Sequence, residues 1–296
     1  PAQFIPYVRD KADYRSAPYL GSYFYSFNVT DPTLRNVWLR RALAWSIDRE
    51  SITRDLFKGS RLPLGTITPL GTPGYTAPKP IGLDLAYARE CLAKAGYPGG
   101  KGCPKLSILF NTSEDHRKIA EVLQAQWKVN LGLDVELSNQ EWGSYLKATT
   151  TLQYQVARRS WIGDYADANT FLGIMVTGDG NNRTGWSNAA YDSLIALAAR
   201  TLDHPVRAGY LKEAETILLD ECPLLPIYNY TLTELIKPYV RGIEPKAAVV
   251  DDEFDLVQIG LQARLHHQAG VDAFLQAVIR LLQQVELALR KIHAQR

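Results

Sequence analysis

The chain has 296 residues, 46% of them apolar and 22% charged, and a formal net charge of +2. That is a globular composition, long enough for one large domain or two small ones. It lacks the basic field that nucleic-acid binding needs, and no apolar run reaches the ~18 residues of a membrane-spanning helix.

Taken in order, YLGSYFYSFNV (19–29) alternates and is aromatic, which predicts a strand. Asp31 and Pro32 open a predicted helix over LRNVWLRRALAWSI, with Leu34, Val37, Trp38, Ala42 and Trp45 at helical spacing. The stretch 61–82, rich in Gly, Pro and Thr, reads as loop. LDLAYARECLAKAG is a predicted helix closed by Gly96, and KLSILFNT a predicted strand. Ser113 is placed to cap a helix whose Ile119, Leu123, Trp127 and Leu131 share one face and which Gly132 stops. LDVELSN predicts a strand, QEWGSYLKATT a short helix, and YQVARRSW another strand. Two helices follow, NAAYDSLIALAART and PVRAGYLKEAETILLDE, the second with Pro205 in its first turn. PLLPIYNYTLTELI reads as a final strand pair. From Val271 onward, Phe274, Leu275, Val278, Leu281, Leu282, Val285, Leu289 and Ile292 give three apolar positions per heptad, the pattern of a helix packed on other helices. Alternating strands and helices predict an α/β domain with a mixed or mainly parallel sheet.

Cys91 and Cys103 flank the turn-rich AGYPGGKG, so a disulfide closing that loop is expected if the compartment is oxidising. Cys222 reads as a small buried residue. No CxxC, HExxH, Walker loop or GxSxG occurs, and the adjacent His266 and His267 make a poor metal pair.

The stretch RSWIGDYADANTF (159–171) concentrates the chemistry. An apolar strand ends on Asp164, between Trp161 and Tyr165, with Asp167 close behind. In α/β sheets ligands sit at such strand ends. A fixed carboxylate beside aromatic rings suits an ammonium group. The competing role for Asp164 is to cap a helix starting near Ala168, and Asp167 reads as an ordinary helix N-terminal carboxylate. The two could reach the about 5–9 Å spacing of a hydrolytic carboxylate pair, but no other acid–base constellation supports catalysis. The expectation is a binding protein, with no enzyme activity, cofactor or metal.

PYLGSYFYSFN, VWLRRALAWSIDRESI, ARECLAKAGYP, LFNTSEDHRKIAEVLQAQWKVNLGLDVELSNQEW, VARRSWIGDYADANTFL and LLDECPLLPIYNYTLTELIKPYVRG, in this order from about Pro6 to Leu261, resemble the oligopeptide- and dipeptide-binding solute-binding proteins of ABC importers. The resemblance implies a periplasmic-binding-protein-like α/β lobe with a mixed sheet, which binds short peptides beside an ABC transporter permease. The setting would be periplasmic or extracellular, with or without a membrane anchor. It implies that Asp164 takes the peptide's α-amino group, Arg158 the carboxylate of a short peptide and His116 longer peptides, with Arg158–Gly163 lending backbone groups; Trp161, Tyr165 and Trp142 are candidate cleft walls. From the residues alone, Arg158 serves equally well in a structural ion pair, and His116 reads as exposed surface. Some relatives carry cysteines where this chain has Gly21 and Ile162.

The expected organisation is a hinge-crossing strand segment (1–30), an α/β peptide-binding lobe (31–235), a return segment (236–262) and an amphipathic helix for packing or oligomerisation (263–296). The family's large N-terminal lobe is expected to precede YLGSYFY and is not in this sequence. Partners would then be that lobe, or a second copy through the C-terminal helix. The alternatives are a lobe for a non-peptide cationic solute and an assembly module acting through that helix.

Overall fold

Six strands, β1 (Tyr14–Phe27), β2 (Leu62–Pro63), β3 (Leu106–Asn111), β4 (Val135–Gln140), β5 (Val156–Ile162) and β6 (Leu224–Leu235), form one sheet in the order β2–β6–β1–β5–β3–β4. The structure is a computed structural model that describes residues 2–237, 239 and 240. The expected helix 263–296 and the return segment beyond Val240 lie outside the described residues. The sheet is mixed: β3 runs parallel to β4 and β5, whereas β1 is antiparallel to β5 and β6.

The six longer helices are α1 (Val37–Trp45), α2 (Leu85–Lys94), α3 (Glu114–Leu131), α4 (Trp142–Thr150), α5 (Ala189–Ala199) and α6 (His204–Glu221). Alternation along β1 sends its side chains to two different cores. Tyr23, Tyr25 and Phe27 pack with Leu39 and Leu43 of α1, Leu92 of α2, and Ile119, Leu123 and Trp127 of α3. Leu20 and Phe24 pack with Phe171, Tyr191, Leu211 and Leu218. A third, smaller cluster seats Tyr145 and Ala148 of α4 on Leu109 and Ala157.

Local departures from the sequence expectations have simple causes. The first helix starts at Val37 because Asn36 accepts the Trp38 N–H, while Asp31 is engaged in the preceding turn by Thr33 N and Leu34 N. Ser113 precedes α3 without a side-chain capping bond. The expected final strand pair is one 12-residue strand, β6, whose pairing with β1 absorbs irregularities between Pro18 and Ser22 and between Tyr23 and Phe24. Such bulges let a strand stay paired while it bends.

The expected Cys91–Cys103 bridge is absent. Both thiols are free: Cys91 points from α2 into the first core and Cys103 packs at that core's margin. Burial raises both thiol pKa values, Cys103 to about 11. These are the properties of apolar packing residues.

Two buried polar devices set the frame around the sheet. Arg40 donates to the carbonyls of Leu34, Arg35, Glu221 and Cys222, so a cation satisfies the C-terminal end of α6. Glu215, fully buried on α6, accepts from the backbone N–H groups of Ile67 and Thr68 and from the Tyr75 hydroxyl. It holds the 61–82 loop, which Leu70 N secures again through Asn229 Oδ1.

Candidate ligand-binding site

The site begins where β3 and β5 part. Their pairing is confined to Ile108↔Val156 and Leu109↔Ala157, whereas β1 follows β5 to Gly21↔Ile162. From Arg158 on, β5 is therefore paired on one side only. Asn28 N donates to Gln155 O, and Gly163 N to Leu20 O. By strand alternation, odd-numbered residues of β5 aim their main-chain groups at β1 and even-numbered ones aim away. The Arg158 carbonyl accepts the Tyr145 hydroxyl. The main-chain groups of Ser160 and Ile162 face the gap.

Asp164 lies just past this open edge. Its backbone N–H donates to Thr170 Oγ1 at 3.0 Å, and the same hydroxyl contacts Asp164 Oδ2 at 3.4 Å and Trp161 Nε1 at 3.5 Å. Gly163 makes this turn possible, because a Cβ there would come within 2.7 Å of Leu20 Cδ2. The carboxylate is exposed, and among the described residues no basic side chain pairs with it.

Asp167 is different. Arg207 binds both of its oxygens, at 2.6 and 2.8 Å, and the Asn169 N–H adds a third bond. Burial opposes the charge, but these bonds outweigh it and hold the carboxyl below its ordinary pKa. The short helix Asn169–Leu172 starts after Ala168 with no side-chain cap, so Asp164 does not cap it. Both Asp167 oxygens are engaged by Arg207, so the carboxylate-pair reading finds no second free carboxylate here.

Arg158 and His116 meet over Tyr23. The Arg158 guanidinium lies 5.0 Å from the centre of that ring, and the Tyr23 hydroxyl faces His116 Nδ1 at 3.2 Å. His116, expected at the surface, is half-buried. Burial first, and the Arg158 charge second, push its pKa down to about 4. At neutral pH the imidazole is uncharged and shares a hydrogen bond with the Tyr23 hydroxyl. Arg158 finds no carboxylate among the described residues: Nη1 reaches Asn111 Oδ1 at 3.4 Å and Nη2 reaches Ser160 Oγ at 3.2 Å. Of the expected aromatic walls, Trp161 packs against the second core, Tyr165 is exposed and accepts from Asn169 Nδ2, and Trp142, 52% exposed, stacks on Tyr145. Trp161 and Arg158 project from opposite faces of the sheet.

Residues 1–183 match the family model for bacterial extracellular solute-binding proteins, family 5. The chain belongs to this family. It is 38% identical to the periplasmic murein peptide-binding protein MppA of Escherichia coli over 232 residues, 76% of this chain and 43% of that protein. It is 34% identical to the oligopeptide-binding protein OppA of Bacillus subtilis, over 82% of this chain and 46% of that one. Among solved structures, the unliganded open form of MppA superposes with a TM-score of 0.77 at 36% identity, covering 81% of this chain and 48% of that chain. Haemophilus influenzae OppA in complex with RPPGFSPFR gives 0.71 at 32% identity, covering 82% and 49%. The chain spans less than half the length of these curated relatives.

Within this family 5 chain, several contributors to the site carry no motif of their own. Thr170, the clamp on Asp164, stands six positions downstream with no periodic link to it. Tyr23 was legible as an inward position of an alternating strand, but not as the ring joining Arg158 to His116. Tyr145, which takes the Arg158 carbonyl, belongs to a helix whose pattern signals only packing. No group of three metal-ligating side chains occurs among the described residues, and no described helix is long and apolar enough to cross a membrane.

Proposed function

We propose that this chain forms one wall of a peptide-binding cleft in a solute-binding protein serving an ABC importer, acting by binding and without catalysis. A short peptide lies extended along the open edge of β5, with its main chain on Ser160 and Ile162 and its α-amino group on Asp164. The observation that carries this reading is the pairing of an exposed, clamped, unpartnered carboxylate with a strand edge that opens immediately before it. An edge adds a strand through main-chain bonds and leaves side chains free, which suits a receptor for varied peptides. The carboxylate sets polarity, because a charge-assisted bond from an ammonium contributes roughly 1.5–3 kcal/mol. The peptide and permease partnership and the periplasmic setting come to this chain from its relatives' names and its family.

Calorimetry of the full-length protein with trialanine and N-acetyl-trialanine tests the reading. Trialanine is expected to bind and the acetylated peptide to bind at least tenfold more weakly, the fold-change of about 1.4 kcal/mol. Equal affinities would remove Asp164 as an ammonium receptor. Binding of a simple organic cation as tight as that of trialanine would favour the non-peptide cationic solute.

A further inference from the structure

We infer that the site carries a second anion-binding group, Arg61, and that the protein prefers peptides bearing two carboxylates; the inference rests on the peptide-binding reading above. Arg61 precedes β2 at the opposite side of the aromatic platform from Arg158. Its guanidinium lies 5.5 Å from the Tyr230 ring centre, 5.9 Å from Tyr228 and 5.7 Å from Phe57. Tyr228 stacks on Tyr23 at 4.6 Å, and Tyr23 in turn lies beneath Arg158. One continuous set of rings on one face of the sheet thus supports two guanidinium groups.

Neither guanidinium has a carboxylate in ion-pair range among the described residues. Arg61 makes one short bond, from Nη1 to the Ser60 carbonyl at 2.7 Å, and one long contact to Thr231 Oγ1 at 3.5 Å. Nη2 makes no bond to a described residue, and the Nε of Arg61 and of Arg158 are both buried without an acceptor. Arg183 Nε is also buried without an acceptor, and buried Arg159 has one backbone bond, to Asn181 O, but neither shares the Tyr23–Tyr228–Tyr230 platform. Buried Arg40 and Arg49 are saturated by backbone carbonyls, and Arg207 holds Asp167.

Two half-buried cations with no counter-ion among the described residues repel each other unless anions join them. The chemical class that fits is a peptide with a C-terminal carboxylate and one acidic side chain near it, each taken by one guanidinium while the amino terminus stays on Asp164. Aromatic support fixes the guanidinium planes and reduces the entropy lost on binding.

The test is calorimetry of the full-length protein with Ala-Ala-Glu and Ala-Ala-Gln, which differ by one charge at nearly constant shape. The expected result is a preference for Ala-Ala-Glu of about tenfold at low ionic strength that shrinks as salt is added. Arg61→Gln brings the ratio to about one and Arg61→Lys restores part of it. Because the ratio is first read on the unaltered protein, a variant that folds poorly does not remove the test. Equal affinities for the two peptides, with dependence on the free amine retained, overturn this inference alone. A preference that survives Arg61→Gln overturns the assignment to Arg61. Failure of both peptides to bind overturns the peptide reading and this inference with it.

Discussion

Arg207 grips both oxygens of Asp167, at 2.6 and 2.8 Å, and thereby leaves Asp164 as the open carboxylate of the WIGDYAD segment. The two acids are three positions apart on one loop, yet one is consumed by the fold and the other is offered outward. The first expectation concerns the consumed one. The pair is under a third exposed, so Arg207→Ala, which strands a partly buried carboxylate, is expected to lower stability by about 1–3 kcal/mol. Asp167 titrates below its ordinary value in the folded protein. Its contribution is therefore complete above the unfolded pKa of about 3.9 and is lost as pH falls below it. Denaturant midpoints of Asp167→Asn and the parent should converge towards pH 3 and separate at pH 6. Parallel curves would show that the ion pair adds nothing.

Asp164→Asn in the full-length protein is expected to weaken binding of free-amine peptides by about 1.5–3 kcal/mol while changing the melting temperature little, since the side chain is exposed and, among the described residues, its only hydrogen-bond contact is to Thr170. Thr170→Val is expected to reduce both affinity and stability, because it removes the acceptor of the Asp164 N–H. Calorimetry and thermal scans on the same preparations separate the two effects. An Asp164→Asn protein that binds like the parent but melts early would recast Asp164 as structural.

Glu215 offers a pH dependence of opposite sign. Burial raises its pKa, only partly countered by the bonds from Thr68, Tyr75 and Ile67. A raised folded-state value means that the stability tied to its proton is present below the unfolded pKa, about 4.3, and is lost as pH climbs through the folded value. Relative to Glu215→Gln, which does not titrate, the parent should gain stability as pH drops from 7 towards 4. Glu215→Ala should be far worse at every pH, by about 3–5 kcal/mol, because three donors lose their acceptor and a cavity opens. Chemical denaturation across that range reads both. A pH-independent difference between parent and Gln variant would refute the titration.

Gly21 and Ile162 pair across β1 and β5, and a Cβ on Gly21 would stand 2.6 Å from Ile162 Cδ1. The Leu20 O to Gly163 N bond lies one residue along, which makes this a non-hydrogen-bonded pair, the closer kind. Gly21→Cys with Ile162→Cys should therefore oxidise spontaneously to a cross-strand bridge. Thiol titration should find three free cysteines in the oxidised variant, the number in the parent. Five titratable thiols after air oxidation would contradict the register.

Much of the architecture was readable because its signals are local. The face made by Ile119, Leu123, Trp127 and Leu131 is the buried face of α3, and Gly132, at φ 74°, ends it as expected. Asp164 was legible because its identity, its aromatic neighbours and its place at a strand end coincide. What escaped was set by long-range contact. Nothing near His116 announces that Tyr23, from a strand 93 positions away, will draw it inward. Nothing near Asp167 announces Arg207, 40 positions on. Arg61 lay inside a stretch read only as loop, and the rings that support it come largely from β6, at the far end of the fold.

The parting of β3 from β5 after Ala157 has one more implication. Most vacant strand edges lie at the rim of a sheet, where another sheet can dock broadside and start an aggregate. Here the vacancy lies in the interior, between two strands that are joined only at their roots. It works as a keyway. Its shape is that of a slot one strand deep in the sheet, bounded by β1 on one side and β3 on the other. At that position the backbone groups of β5 stay available to one extended segment without forming part of the sheet's rim.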